Sequence, residues 1–181
     1  MAVLIEAASV IVRMEAIQNK YFGGISAFYA SIPNDTYCSD GLLCRVGFMS
    51  DADAHFYISE LMNNGLHRPL KNEKNTDIAY AQQDIGLVQP CSWLTTGPFV
   101  IDHENHTVLA CSLNNDPQQG LAVPPHWSYE QYASLQRHSV DEIESISPKE
   151  NASILEVRVN NSKEKLYIGT TSKRNSSDTI Q

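Results

Sequence analysis

Residues 3–13, VLIEAASVIVR, run into 14–32, MEAIQNKYFGGISAFYASI, and further on come 42–49, LLCRVGFM, and 50–66, SDADAHFYISELMNNGL. The apolar spacing changes from strand-like to helical and then repeats, which reads as strand, helix, strand, helix. In the first segment both alternating sets are largely apolar: Val3, Ile5, Ala7 and Ile11 on one side, Leu4, Ala8, Val10 and Val12 on the other. A strand apolar on both faces belongs at the centre of a sheet that is covered on both sides. The second segment carries Met14, Ile17, Tyr21, Ile25, Phe28 and Ile32 on one helical stripe. Gly23-Gly24 interrupts it. Each glycine costs about 1 kcal/mol in a helix interior, so two short helices or a sharp kink are expected. Pro33-Asn34 stops the element.

Asn34 to Gly41 reads as a loop, with Asp40-Gly41 suited to a tight turn. Leu42 to Met49 reads as a second strand, with Leu42, Cys44, Val46 and Phe48 on one face. Ser50 is an N-cap with Asp53 in the capping-box position, and Asp51 and Asp53 sit where the helix dipole favours negative charge. The helix runs to about Asn64. Gly65 supplies its left-handed C′ residue and Leu66 the apolar contact of a Schellman ending. Whether the two strands are adjacent or separated by a third is open at this point, and a right-handed crossover is expected if they are parallel.

The remainder is more irregular. His67 to Thr76 is a polar, basic loop. Asp77 to Gln83 and Asp84 to Gln89 contain short strand-like runs. Pro98 to Asp102 and Thr107 to Leu113 read as a hairpin across His103-Glu104-Asn105-His106. Asn114 to Pro125 reads as a loop, and Ser128 opens a helix with Gln131 at the capping-box position. Val140 to Glu150 reads as an acidic connection, and Ile154 to Val159 pairs with Leu166 to Ile168 across Asn160-Asn161. The fold class is α+β. A single domain over 1–170 is expected, with a mixed sheet of five or six strands. A β-α-β-α block at 1–66 packs on it, sheet and helix follow at 77–136, and a β-hairpin extension occupies 152–170. A doubly wound α/β fold fits less well, because the later strands come without intervening helices. The polar tail at 171–181 is expected to be disordered.

Composition sets bounds on function. The chain has 181 residues, 42% of them hydrophobic and 19% charged, the balance of an ordinary globular protein. Thirteen basic against 21 acidic residues give a formal charge of −8. The basic residues are scattered, whereas nucleic-acid binding needs them clustered against phosphates, so no nucleic-acid partner is expected. Glu6 interrupts the apolar N-terminal run and no positive segment precedes it, which argues against a secretory signal. No stretch approaches the roughly 20 apolar residues of a membrane span. A cytoplasmic location with reduced thiols follows as the expectation.

The candidate sites are few. His103 and His106, with Asp102, have the residue types of a two-histidine, one-carboxylate metal site across a hairpin turn. The competing reading is a polar turn that contains two histidines, and no metal or other cofactor is assigned. Cys91, in Pro90-Cys91-Ser92-Trp93, would need a histidine such as His126 or His138 to generate thiolate. A structural cysteine is the commoner outcome. Cys38, in an expected loop, would be exposed, with Asp40 raising its pKa. Cys44 and Cys111 alternate with apolar residues and read as core. No residue is assigned a catalytic role. Trp93, Phe99, Trp127, Tyr129 and Tyr132 concentrate aromatic surface between residues 93 and 132. Tryptophan and tyrosine are favoured at interfaces, although both tryptophans can equally close the core over the sheet. The expected binding residues are Cys91, Trp93, His126, Trp127 and Tyr129. The favoured function is a small soluble cytoplasmic module that binds a protein partner. The alternative is a small-ligand-binding protein or enzyme using Cys91 or the His103/His106 turn. The sequence leaves the oligomeric state open.

Overall fold

A break at Glu6 and Ala7 divides the first apolar run into two strands that enter different sheets. In the computed structural model, which describes residues 1–68, 76–101, 106–114, 116, 120–130 and 132 and the strands at 143–148, 154–159 and 165–169, Ala2–Leu4 forms β1 and Ala8–Arg13 forms β2. Ala7 takes φ 47°, a left-handed conformation that is costly for an L side chain. Gln83 holds it there. Its Oε1 accepts the Ala7 N–H at 2.8 Å, and its backbone N–H donates to the Ala7 carbonyl at 2.9 Å. The single strand expected over Val3 to Arg13 is thus corrected to two. A uniformly apolar run carries no mark of where it changes sheets.

The helical stripe folds as expected into two pieces, α1 (Met14–Lys20) and α2 (Gly24–Ala30). Gly23 and Gly24 adopt φ 81° and 68° between them. Met14, Ile17, Tyr21 and Phe28 are buried in one core, with Ile25 and Ile32 packed against it. The chain then forms β3 (Cys38–Ser39), β4 (Leu43–Phe48) and α3 (Asp51–Asn63). Ser50 Oγ accepts the Asp53 N–H at 3.2 Å. At the other end Gly65 N–H donates to the Met62 carbonyl and Leu66 N–H to the Leu61 carbonyl, both at 3.1 Å. These are the two bonds of a Schellman ending.

Nine strands of the described residues up to Ala122 form two sheets. With β5 (Ile78–Gln82) and β6 (Gly86–Leu87), the first has the order β3-β4-β2-β5-β6 and is antiparallel throughout. Strands β2 and β4 are therefore adjacent and antiparallel, with Val10 opposite Val46. The second sheet has the order β7-β8-β1-β9, built from β7 (Leu94–Val100), β8 (Thr107–Leu113), β1 and β9 (Leu121–Ala122). Its β1–β9 pair is parallel and the others antiparallel. The expected single sheet is corrected to two because β1 and β2 part at Ala7. The expected hairpin exists, with Val100 opposite Thr107. Its first strand begins earlier than expected, at Leu94, while the second spans Thr107–Leu113 as expected, and residues 102–105 of its turn lie outside the described residues. The expected loop at 114–125 contains β9, which is too short to leave a periodic signal. The acidic connection contains β10 (Ile143–Pro148), which joins β11 (Ile154–Val159) and β12 (Lys165–Gly169) in an antiparallel meander. The Asn160-Asn161 turn and the 171–181 tail lie outside the described residues.

The alternation of side chains along the strands sorts the interior into layers. Val10 and Val12 of β2, Cys44 and Val46 of β4 and Tyr80 of β5 face the helices α1–α3. Ile11, Leu43 and Ala79, one residue out of phase, face Val3 and Cys111 of the second sheet and Ile5 just beyond β1. On that sheet's far side Leu4 and Val108 pack with Tyr132, Trp127 and Tyr129. The order is helices, first sheet, second sheet, aromatic segment, an α+β architecture. Strand β2 is covered on both faces, as its sequence requires. Among the described residues no helix is long and apolar enough to cross a membrane.

Candidate functional site

The five expected binding residues occupy two places, on opposite faces of the second sheet. Cys91 and Trp93 pack against the core between the sheets. Trp127 and Tyr129 pack on the outer face, beside Leu4 and Val108.

The first place is organised by Asp77, which no sequence signal marked. The residue stands just before β5, and its carbonyl accepts the Arg13 N–H at the end of β2 at 3.2 Å. Its side chain is 0% exposed. Oδ1 accepts from Arg13 Nη2 at 2.9 Å and from Lys20 Nζ at 2.9 Å. Oδ2 accepts from Lys20 at 3.0 Å and from the His67 N–H at 3.1 Å, and His67 Nδ1 stands 3.3 Å away. Burial pushes the carboxyl pKa up, but the bonds from Lys20, Arg13 and the His67 backbone outweigh it and hold it below the ordinary carboxylate value. A carboxylate so saturated with donors acts as an anchor, not as a base.

Arg13 in turn lies over Trp93, its Cζ 5.4 Å from the ring centroid, a cation–π contact. Trp93 Nε1 donates to Thr76 Oγ1 at 2.9 Å. The polar handle of Trp93 is thereby used inside the fold. Cys91, half-buried, is the most accessible of the four free cysteines. Burial raises its thiol pKa, and bonds from the Trp93 backbone and Thr76 only partly oppose this. A raised pKa disfavours the thiolate that nucleophilic chemistry needs. His126 lies on the other aromatic tier, and His138 lies outside the described residues.

Cys38 is corrected from an exposed loop residue to a buried one, because β3 pairs it with Arg45 of β4. Burial pushes its thiol up to about 11, partly offset by Arg45, while Asp40 adds only a small upward contribution. Cys44 and Cys111 are buried, as their strand positions implied.

The second place is the outer aromatic layer. His106 stacks on Tyr129 with ring centroids 4.3 Å apart and an interplanar angle of 24°. Tyr129 and Tyr132 are stacked at 6.3 Å, and Trp127 meets Tyr132 edge-on at 6.2 Å. Tyr132 is the anchor. Its hydroxyl accepts the Leu109 N–H at 2.6 Å, and its carbonyl accepts from Gln83 Nε2 at 3.1 Å. The hydroxyl stands in for a strand neighbour near the point where β1 leaves the second sheet. Trp127 is partly exposed, and its buried Nε1–H meets no acceptor among the described residues. His126, exposed between Pro125 and Trp127, adopts φ 63°, a strained state for a residue with a Cβ.

Asp102 and His103 of the candidate metal site lie outside the described residues, while His106 is engaged by Tyr129. Among the described residues no group of three or more His, Cys, Asp or Glu could hold a metal ion. Compared with protein-family models, with curated proteins and with solved structures, the chain matches none of them.

Proposed function

We propose that this chain is a binding module, of interaction or regulatory type, that recognises a protein partner through its outer aromatic layer. The observation that carries this reading is the tier of His106, Tyr129, Tyr132 and Trp127 on the second sheet. It is anchored from beneath by Tyr132 and presents the partly exposed Trp127 and Tyr129 and the exposed, strained His126 on an irregular segment. Large aromatic groups held by a rigid scaffold lose little entropy on binding and supply most of the energy of small interfaces. Irregular segments on a rigid scaffold are also where binding residues concentrate. A cytoplasmic setting belongs to the same proposal.

The test is affinity capture with the wild-type chain and with His126→Ala and Tyr129→Ala forms. One partner retained by the wild type and lost from both variants, at unchanged melting temperature, supports the reading. Equal capture by all three removes it.

The alternative, a small-ligand site or enzyme built on Cys91 or on His103 and His106, draws support from one observation: a solvent-open cleft beside Cys91.

A further inference from the structure

Strand β5 is only half covered on its outer edge. It pairs with β6 at Ala81 and Gln82 alone. The Val88 N–H still reaches the Tyr80 carbonyl at 3.1 Å, but two residues on Pro90 has no N–H with which to continue the ladder. Where pairing stops lies a shallow cleft, about 250 Å³ when the open solvent at its mouth is counted, floored by Ile58 and Ile78, flanked by Tyr80 and rimmed by Arg68, Gln89 and Cys91.

The charge at its rim is unusual for this chain. Among the described residues up to Tyr132 the cationic side chains are Arg13, Lys20, Arg45 and Arg68. Arg13 and Lys20 are paired with Asp77, and Arg45 with Glu6. Arg68 has no carboxylate partner among the described residues, although the chain carries 21 acidic residues. Its Nη1 stands 3.4 Å from His55 Nδ1. Asp51 engages the Tyr80 hydroxyl and accepts from Gln82 Nε2 at 2.7 Å, both through Oδ1, and forms no ion pair with Arg68.

We propose that this cleft binds a small carboxylate with a short apolar tail. The guanidinium fork of Arg68 matches a carboxylate in geometry and charge. Gln89 offers a further donor from the rim, and the tail lies on Ile58 and Ile78. That apolar floor favours a carboxylate over phosphate, which has no tail to bury. The proposal rests on the small-ligand reading of the cleft and is independent of the aromatic layer.

Cys91 provides the readout, because the other three cysteines are buried. The full-length chain is treated with iodoacetamide in propionate, in propionamide, in inorganic phosphate and in chloride at matched ionic strength. Alkylation of Cys91 is followed by mass spectrometry. Propionate at about twice its dissociation constant should slow alkylation roughly threefold against chloride, with phosphate and propionamide protecting less. Arg68→Gln should abolish the protection, measured against that variant's own rate in chloride, and the exposed Gln89→Ala should weaken it. Equal protection by propionamide, stronger protection by phosphate, or protection that survives Arg68→Gln would overturn the carboxylate assignment while leaving a small-molecule cleft. No protection of the wild type by any of the three would overturn both.

Discussion

The guanidinium of Arg45 lies across the backbone of Gly47, so close that a Cβ at residue 47 would sit 2.3 Å from Nη2. Arg45 is 1% exposed and fully bonded. Nε donates to Ser9 Oγ at 2.9 Å, Nη1 to the Thr36 carbonyl at 3.2 Å and Nη2 to the Glu6 carbonyl at 2.7 Å. The Glu6 carboxylate stands 3.6 Å away. The arginine therefore ties the turn between β1 and β2 to β4, and the absent side chain at Gly47 makes room for it.

Two substitutions at this contact should be coupled. Arg45→Ala leaves Glu6 without its cation and orphans the Ser9, Thr36 and Glu6 acceptors, an expected loss of about 3–5 kcal/mol. Gly47→Ala should cost about 1–3 kcal/mol, because a buried, fully bonded guanidinium has nowhere to move. In the double variant the second cost should largely vanish, since the clash has gone. Urea denaturation of the four proteins checks this, and strict additivity would show that the two residues do not interact.

Asp77 predicts an acid limb. Its carboxyl is held below the ordinary value near 3.8 in the folded chain. Below that ordinary value the unfolded chain takes up a proton that the folded chain still refuses. The stability from Asp77 is therefore whole above the unfolded pKa and is lost as pH falls through the lower, folded one. Asp77→Asn should cost about 2 kcal/mol at neutral pH, moderated because Arg13 and Lys20 are partly exposed and can rehydrate. The difference from wild type should shrink as pH drops below about 4. Melting temperatures across that range decide it; a difference that is constant with pH would assign the loss to packing alone.

The contrast between these features and the helix signals shows what a single sequence makes legible. Ser50, Asp53, Gly65 and Leu66 act on neighbours within a few residues, so local rules recover α3 and both its ends. The Gly23-Gly24 break is legible for the same reason. Asp77 meets Lys20 and Arg13 across 57 and 64 positions, and no local pattern encodes such a pairing. Arg45 left a mark, a charge inside an apolar strand, but its partners are set by the sheet hand-off at Ala7. Grouping Cys91 and Trp93 with Trp127 and Tyr129 failed similarly. They are close in sequence, yet the second sheet runs between them.

The cysteines should separate cleanly in a native alkylation experiment. Cys91 is half-buried, whereas Cys38, Cys44 and Cys111 are buried. All four thiols are pushed up by burial, Cys38 to about 11. At pH 8 Cys91 should label slowly and the others only after denaturant is added. Cys38 labelling as fast as Cys91 in the folded protein would show that β3 is open in solution.

Tyr132→Phe isolates one hydrogen bond. The ring keeps its place against Trp127 and Tyr129, but the Leu109 N–H loses the hydroxyl it meets at 2.6 Å. A donor left without an acceptor at this partly buried position costs about 1 kcal/mol. Hydrogen exchange should quicken at Leu109 and Ile5, because Ile5 N–H donates to the Leu109 carbonyl at 2.9 Å. A stability loss without faster exchange at these two amides would place the effect elsewhere.

Gly65 and Gly24 offer a controlled comparison of strain with crowding. Both have positive φ, 99° and 68°, so an alanine at either carries a backbone cost of about 1–2 kcal/mol. At Gly24 a Cβ would meet nothing within 4 Å, whereas at Gly65 it would lie 2.5 Å from the Lys20 carbonyl oxygen. That oxygen belongs to the backbone of α1 and cannot swing aside. Gly65→Ala must therefore push α1 away from the end of α3, and Lys20 with it from Asp77. The expected loss exceeds that of Gly24→Ala by at least about 1 kcal/mol. Because Lys20 is one of the donors that lower the Asp77 pKa, the acid limb of Gly65→Ala should also begin at higher pH than in wild type. Gly24→Ala should keep the wild-type limb. Thermal melts of both variants between neutral and acid pH test the two halves of this argument separately.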